Sequence, residues 1–170
     1  MANPTARVAL SVKPGRDLLS LPVKNGVTIW DGALVGILRT GGAGLTGRID
    51  NWTDPAVVET ATTMKFLGIA RVHNTEGVSG TDSVVGNSAG TVEVEIDVSG
   101  VVLQNNLITL ASDVDVGVLV YSADGNPASL TKTAPGTSNN AIGYVSRFIS
   151  TTRGDVKLFA ADNFRTERTL

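Results

Sequence analysis

A glycine-rich segment fits the spacing of a phosphate-binding motif. Residues 42–47, Gly-Ala-Gly-Leu-Thr-Gly, match the G-x-G-x-x-G pattern with which a loop cradles the phosphates of a dinucleotide. Such a loop needs a helix directly after it, because the backbone N–H groups at the helix N-terminus bind the phosphate. Residues 48–55 are instead rich in turn-forming residues. We therefore interpret the segment as a plain loop, and the sequence predicts no cofactor.

Carboxylates could supply a metal site or acid–base catalysis. Asp113, Asp115 and Asp124 have the spacing of positions one, three and twelve of a calcium loop, but Val118 stands where that loop requires glycine. Glu93 and Glu95 alternate like the solvent face of a strand, which is not the arrangement of a catalytic acid pair. The sequence therefore predicts no metal site and no carboxylate pair for catalysis.

His73 is the only histidine, and the chain has no cysteine. Disulfides, thiolate metal sites and zinc sites built on several imidazoles are therefore excluded. A Ser-His-Asp mechanism would have to use His73, yet no serine stands in a G-x-S-x-G elbow. We predict that the protein is not an enzyme. A change beyond stability after replacement of His73 would argue for one.

Two short motifs have plain interpretations. Residues 153–155, Arg-Gly-Asp, match an integrin-type adhesion tripeptide, and we interpret them as a hairpin turn. Asn51-Trp52-Thr53 is a glycosylation sequon only in a secreted chain, and residues 1–16 lack the continuous apolar centre of a secretory signal. No apolar run approaches the ~20 residues of a membrane-spanning helix. We therefore expect synthesis in the cytoplasm and no membrane partner.

Composition favours a single all-β domain. The chain has 170 residues, of which 42% are hydrophobic and 18% charged, so it can bury one core. Valine and threonine number 22 and 19, and their branched side chains suit a strand better than a helix. The net charge of -2 argues against nucleic acid as a partner.

Charge is unevenly distributed. Residues 1–48 contain six basic and two acidic residues, whereas residues 72–131 contain eight acidic residues and no basic one. This asymmetry would orient neighbouring copies or dock a basic arm on an acidic partner. The alternative is a solvated acidic sheet face.

Alternating apolar residues and turn signals predict several short strands. The strongest hairpin signal is residues 27–38, where an Asp-Gly turn separates two apolar runs. Residues 56–63 fit a short helix and an extended segment equally well. The remaining predicted elements are a strand at 66–72, a loop at 74–90, a strand at 91–98 with Thr91, Glu93, Glu95 and Asp97 on its wet face, a strand through Val114, Val116, Val118 and Val120, a turn cluster at 123–127, and a closing hairpin of 142–149 with 156–160.

These elements predict a small β-sandwich or partly open β-barrel. An extended N-terminal arm would cover residues 1–20, the β domain residues 21–161, and a polar C-terminal tail residues 162–170. The arm is predicted to add a strand to an exposed sheet edge of a partner. Its candidate binding residues are the alternating apolar Val8, Leu10 and Val12 and the basic Arg7, Lys13 and Arg16.

Trp30 and Trp52 both lie next to predicted turns. Tryptophan is enriched in the energetic centres of protein interfaces, so both are candidates for an oligomer interface. The alternative is that they cover the ends of a small core.

Several segments resemble small capsid decoration, or cement, proteins of tailed phages. Residues 21–36, LPVKNGVTIWDGALVG, resemble the family's opening pattern G-[AV]-T-I-x-x-G-[AD]-L-V. Residues 66–70, FLGIA, and 115–121, DVGVLVY, resemble its F-x-G-[VI]-A and D-V-G-x-x-V-Y segments. Residues 142–145 and 154–158 resemble its final strands. The segments occur in the family's order, so the resemblance runs from Leu21 to Phe159.

The resemblance implies a β-rich protein without catalytic residues. Such proteins assemble as trimers on the outer surface of the phage head and lock neighbouring major capsid subunits together. The insertion at residues 74–90 and the extended basic amino terminus depart from the family pattern. Two other interpretations remain open. A tail-tube or fibre-base subunit would form rings or filaments without heads, and a carbohydrate-binding β-module would bind glycans through exposed aromatic residues.

Overall fold

The computed structural model describes residues 17–39, 47–53, 64–72, 82–134 and 140–160, and the backbone of residues 11 and 12. Within these residues the chain forms β-strands and one 3-10 turn, so the predicted all-β class is confirmed. The strands are β1 (Ser11–Val12), β2 (Leu18–Pro22), β3 (Thr28–Trp30), β4 (Leu34–Leu38), β5 (Ile49–Asn51), β6 (Met64–Arg71), β7 (Ser83–Val85), β8 (Glu93–Asp97), β9 (Val102–Leu107), β10 (Leu119–Ser122), β11 (Leu130–Thr131), β12 (Gly143–Ser150) and β13 (Arg153–Leu158).

The first large sheet is antiparallel and has the strand order β1-β9-β13-β12-β10-β11. Its centre is the hairpin of β12 and β13, which confirms the closing hairpin predicted from the sequence. The turn cluster at 123–127 also forms, between β10 and β11, where Asp124 Oδ1 accepts the N–H of Asn126 at 2.9 Å. The two edges of this sheet are the two-residue strands β1 and β11.

The second large sheet has the order β2-β8-β6-β4-β5 and curls into a half-barrel. Its two edge strands meet at one end, where Val23 and Ile49 form a parallel bridge. The N–H of Lys24 donates to the carbonyl of Ile49 at 2.9 Å, and Lys24 Nζ lies 2.7 Å from Asp50 Oδ2. This closure confirms the partly open barrel among the predicted architectures.

Two hydrophobic cores lie on opposite faces of the same strands. Leu34 of β4 and Ile69 of β6 belong to a core that the half-barrel shares with the six-stranded sheet. Val35 and Ala70, their chain neighbours, belong to a second core inside the half-barrel. Strands that are buried on both faces have continuous apolar sequences without alternation. This explains the unbroken apolar run of β4.

The predicted hairpin of residues 27–38 is wrong in its pairing. The turn forms, with Gly32 at a φ of +79° and the N–H of Ala33 donating to Trp30 at 3.1 Å. However, β3 pairs with β7 in a separate two-stranded ribbon, and β4 pairs with β5 and β6. The turn is bonded to β6 and its C-terminal end: Gly32 donates to Ala70, and Asp31 Oδ1 accepts the N–H of Val72. These bonds direct β4 into the half-barrel and away from β3.

The predicted loop at residues 74–90 contains part of that ribbon. Residues 83–85 form β7, which pairs with β3 from Thr28 to Trp30. A strand of three residues is too short to produce a recognisable alternation, and so the sequence pattern concealed it. Residues 73–81 lie outside the described part of the chain.

The predicted strand through Val114 and Val116 is also wrong, because β10 begins only at Leu119. Residues 113–115 form the 3-10 turn, and the Val114 side chain is 76% exposed. Ser112 Oγ accepts the N–H of Val114, and the Asp115 carboxylate accepts the N–H of Ala111. Such local side-chain bonds give the backbone an alternative to a sheet ladder.

Candidate functional site

The strands β1 and β2 form what we call the N-terminal edge, residues 11–12 and 18–22. Val12 pairs with Leu103 of β9, and Leu18 pairs with Asp97 of β8. Five residues separate Val12 from Leu18 on one side, and five separate Asp97 from Leu103 on the other. Both pairings therefore keep one antiparallel register. The N-terminal edge follows the chain of β8 and β9 from the half-barrel into the six-stranded sheet.

This arrangement places only part of the predicted arm. Val12 pairs with a strand of its own domain. The predicted boundary after residue 20 falls inside β2. The other candidate arm residues, and the predicted tail at 162–170, lie outside the described residues; those arm residues are Arg7, Val8, Leu10, Lys13 and Arg16.

The side chains beside β2 are acidic. Glu93 and Glu95 of β8 are exposed, as predicted, and Glu93 Oε2 accepts a hydrogen bond from Ser20 Oγ at 2.7 Å. Asp97 was expected on the same wet face, but it is only 2% exposed. Ser99 Oγ donates to its Oδ1 at 2.6 Å, and Arg71 lies 3.6 Å from its Oδ2. The wet face therefore ends at Glu95, because Ser99 and Arg71 contact the Asp97 carboxylate.

The two tryptophans have different positions. Trp52 is 2% exposed and belongs to the core shared by the two large sheets. Its Nε1 donates to the carbonyl of Ser122 at 2.9 Å, and its ring meets Phe66 edge-on. The interface prediction is therefore wrong for Trp52, because its side chain offers no surface to a partner. Trp30 is half-buried on β3, opposite Ser83, and its interface role stays a prediction.

The three aspartates with calcium-loop spacing do not form one site. Asp115 is buried and forms an ion pair with Lys132 at 2.7 Å. Asp124 caps the turn after β10. Among the described residues, no group of three or more histidine, cysteine, aspartate or glutamate side chains could hold a metal ion. The Lys132 ammonium holds the pKa of the Asp115 carboxyl below its ordinary value, and the N–H of Ala111 acts in the same direction.

Replacing Lys132 by methionine is expected to raise the pKa of Asp115. Because the folded-state pKa lies below the unfolded value, the pair stabilises the fold above about pH 3.9, and this contribution is lost as the pH falls through the lowered pKa. Without Lys132 the loss should begin at a higher pH. Carbon NMR titration of the carboxyl and acid unfolding followed by circular dichroism measure the two effects. The control Lys157→Met removes the same charge from β13, and an equal shift in both variants would contradict a direct pair.

The Arg-Gly-Asp tripeptide is not a turn. Residues 153–155 begin β13, and the turn of the hairpin is Thr151 and Thr152. Asp155 is 7% exposed; its Oδ1 accepts the N–H of Asn105 at 2.8 Å, and its Oδ2 lies 3.0 Å from Arg147 Nε. Asn105 has a φ of +52°, so the carboxylate fixes an irregular point of β9. An adhesion receptor could not reach this carboxylate in the folded chain.

Asn51 of the sequon is 4% exposed, and its Nδ2 donates to the carbonyl of Thr28 at 3.1 Å, so the folded chain does not present it for glycosylation. His73, the undecided segment 56–63 and all of the glycine-rich loop except Gly47 lie outside the described residues.

The apolar surface of the N-terminal edge was not predicted from the sequence. Leu18 is 54% exposed and Leu19 is 40% exposed, although both are large hydrophobic residues on a strand. The signal was their position between a charged arm and Pro22, which indicates an edge strand.

The described part of the chain contains no helix with the length and apolar character that crossing a bilayer requires. Comparisons with protein-family models, with curated proteins and with solved structures find no match to this chain.

Proposed function

We propose that this protein decorates the outer surface of a tailed-phage head, where it stabilises contacts between major capsid protein subunits as a homotrimer. It would be made in the host cytoplasm and become part of the virion. The all-β fold is consistent with this role. The segments that carry the resemblance overlap the end of β2, β3 and β4, β6, β10, and β12 and β13, and between them these strands contribute to the two cores. These segments would thus serve the fold, and contact with the capsid would fall to other surfaces.

The position of β1 is the observation on which the proposed mechanism rests. This strand is an edge of the six-stranded sheet, and among the described residues it pairs only with β9. In the sequence this strand directly follows the alternating apolar residues Val8 and Leu10 of the predicted arm. An extended segment of a capsid subunit would add to this edge through main-chain hydrogen bonds. Many such contacts on one lattice would bind together with an avidity that no single contact has.

The first measurement is the mass of the purified protein by light scattering behind a sizing column, alone and after mixing with expanded, undecorated heads. A trimer that co-elutes with heads at a fixed ratio is the expected result. A protein that does not bind heads would overturn the proposal and would favour glycan binding. Rings or filaments formed without heads would favour a tail-tube or fibre-base subunit.

Deleting residues 2–16 is expected to abolish binding to heads. The truncation removes the basic arm and β1, and among the described residues the body loses the pairing of Ser11 and Val12 with β9. Co-sedimentation with heads measures binding, and circular dichroism checks the fold. The matched control deletes the polar residues 162–170 from the other end and should bind as the full chain does. Unchanged binding by the arm deletion would refute the role of the arm.

A further inference from the structure

The outer side of β2 is an open sheet edge. Two backbone bonds fix which groups face β8: Val23 donates to the carbonyl of Val92, and Val98 donates to the carbonyl of Asp17. In an antiparallel ladder the hydrogen-bonded residues alternate along the strand. The backbone N–H and C=O groups of Leu19 and Leu21 therefore also face β8. The N–H and C=O groups of Leu18 and Ser20 therefore point away from the sheet.

The described residues give this edge none of the usual protection against association. Natural edge strands are blunted by charged side chains, by bulges or by a covering segment. β2 has the sequence Leu-Leu-Ser-Leu-Pro, without a charge, and it pairs with β8 without a register shift. Beyond Pro22 the outer side of this chain is closed by β5, because the N–H of Lys24 donates to the carbonyl of Ile49, so the open part of the edge is Leu18 to Pro22. Within the described residues no strand pairs with the outer side of β2.

We propose that β2 pairs with β2 of a second copy of this chain, antiparallel and about a two-fold axis at Leu19. In that register Leu18 of one copy lies opposite Ser20 of the other. Each outward N–H group then meets an outward carbonyl of the second copy. Leu19, exposed at 40% in the single chain, lies opposite Leu19 of the second copy as a non-hydrogen-bonded pair, in which side chains are closest.

The edge is complementary to itself. A two-fold contact requires a surface that is complementary to itself, and the two outward residues supply equal numbers of donors and acceptors. Pro22 has no N–H and therefore ends the ladder, which limits how far another strand could extend along this edge. The two exposed leucines would be covered by the same residues of the second copy.

The cysteine-free sequence allows a direct test by crosslinking. In Leu19→Cys the two Cα atoms would be about 4.5 Å apart across the axis, inside the range for a disulfide. Ser20→Cys places them about 7–8 Å apart, beyond that range. The control Val114→Cys carries a thiol on a 76% exposed residue of the 3-10 turn. Mild oxidation with copper phenanthroline should yield a covalent dimer on a denaturing gel for Leu19→Cys, and at least fivefold less for the other two variants.

Two outcomes would overturn the proposal. Equal crosslinking of Leu19→Cys and Val114→Cys would mean that β2 makes no specific contact. Stronger crosslinking of Ser20→Cys than of Leu19→Cys would mean that the axis does not lie at Leu19. A two-fold contact cannot be one of the equivalent contacts within a three-fold homotrimer, so in the proposed function β2 would join copies that belong to two different trimers. The gel detects such pairs without heads, so the result is independent of head binding.

A second pair of variants removes the contact without touching the core. Ser20→Pro deletes an outward N–H that β8 does not use, and edge strands tolerate proline. Ser20→Ala keeps that N–H but loses the bond from Ser20 Oγ to Glu93, so it is the matched control. Ser20→Pro should abolish the concentration-dependent protection of the Leu18 amide in hydrogen exchange, whereas Ser20→Ala should retain it. Absence of any such protection in the unmodified chain would overturn the proposal.

Discussion

Replacing Trp52 by alanine is expected to lower the free energy of unfolding by about 3–5 kcal/mol. The side chain is 2% exposed, and its ring centroid lies 5.5 Å from that of Phe66 at an interplanar angle of 82°. Truncation would leave a cavity in the core shared by both large sheets and would remove the donor from the carbonyl of Ser122. Urea unfolding followed by circular dichroism measures the loss.

Two variants show whether the effect comes from this buried position. Trp52→Phe keeps a ring against Phe66 and loses the indole N–H, so its cost should be smaller, about 1–3 kcal/mol. Trp30→Ala should also cost less than Trp52→Ala, because Trp30 is only half-buried. A Trp52→Ala variant that keeps its stability but changes its oligomeric mass would restore the interface interpretation.

Local patterns predicted those parts of the fold that depend on neighbours in the chain. The alternation of Val94 and Ile96 with Glu93 and Glu95 reports a strand with one wet face, because each residue's burial follows from its parity. The closing hairpin was predictable because β12 and β13 are neighbours in the chain and are joined by a two-residue turn. The all-β class and the partly open barrel were predictable because the sequence contains many such short strands.

Contacts between distant segments were not predictable. Asp97 continues the parity of the wet face, yet it is buried beside Arg71, which lies on another strand. The pairing of β3 with β7 joins segments more than fifty residues apart, and no local signal at the Asp-Gly turn specifies it. Propensity and periodicity describe an element, whereas partners depend on tertiary packing.

The candidate site, too, was predictable from the sequence only in part. Alternation in the arm predicted an extended segment, and β1 shows an extended backbone at Ser11 and Val12. Whether β2 is an edge depends on where the half-barrel closes, and that is set by the bridge between Val23 and Ile49. Near Leu18 the sequence offers only Pro22 as a sign of an edge strand, and Pro22 does not show which strand closes the half-barrel. An apolar pair on a strand is therefore read as core until the sheet order is known.

Replacing Gly68 by alanine is expected to cost about 3 kcal/mol, the upper end of the usual range for overpacking. A Cβ at this position would lie 2.1 Å from the carbonyl oxygen of Asp97 and 3.0 Å from its carbonyl carbon. Both are backbone atoms of β8, so no side-chain rotation can relieve the contact, and β6 would have to move away from β8. That movement would disturb both cores, because β6 contributes to each of them.

The matched control for Gly68 is Gly47→Ala. Gly47 has open space around it and a φ of +84°, so the substitution costs only backbone strain of about 1–2 kcal/mol. Urea unfolding of both variants should therefore rank Gly68→Ala as the less stable. Gly68 is the glycine of the F-x-G-[VI]-A segment, and the close approach gives that position a physical reason that does not depend on the resemblance. A Gly68→Ala variant as stable as the unmodified chain would contradict this close packing of β6 against β8.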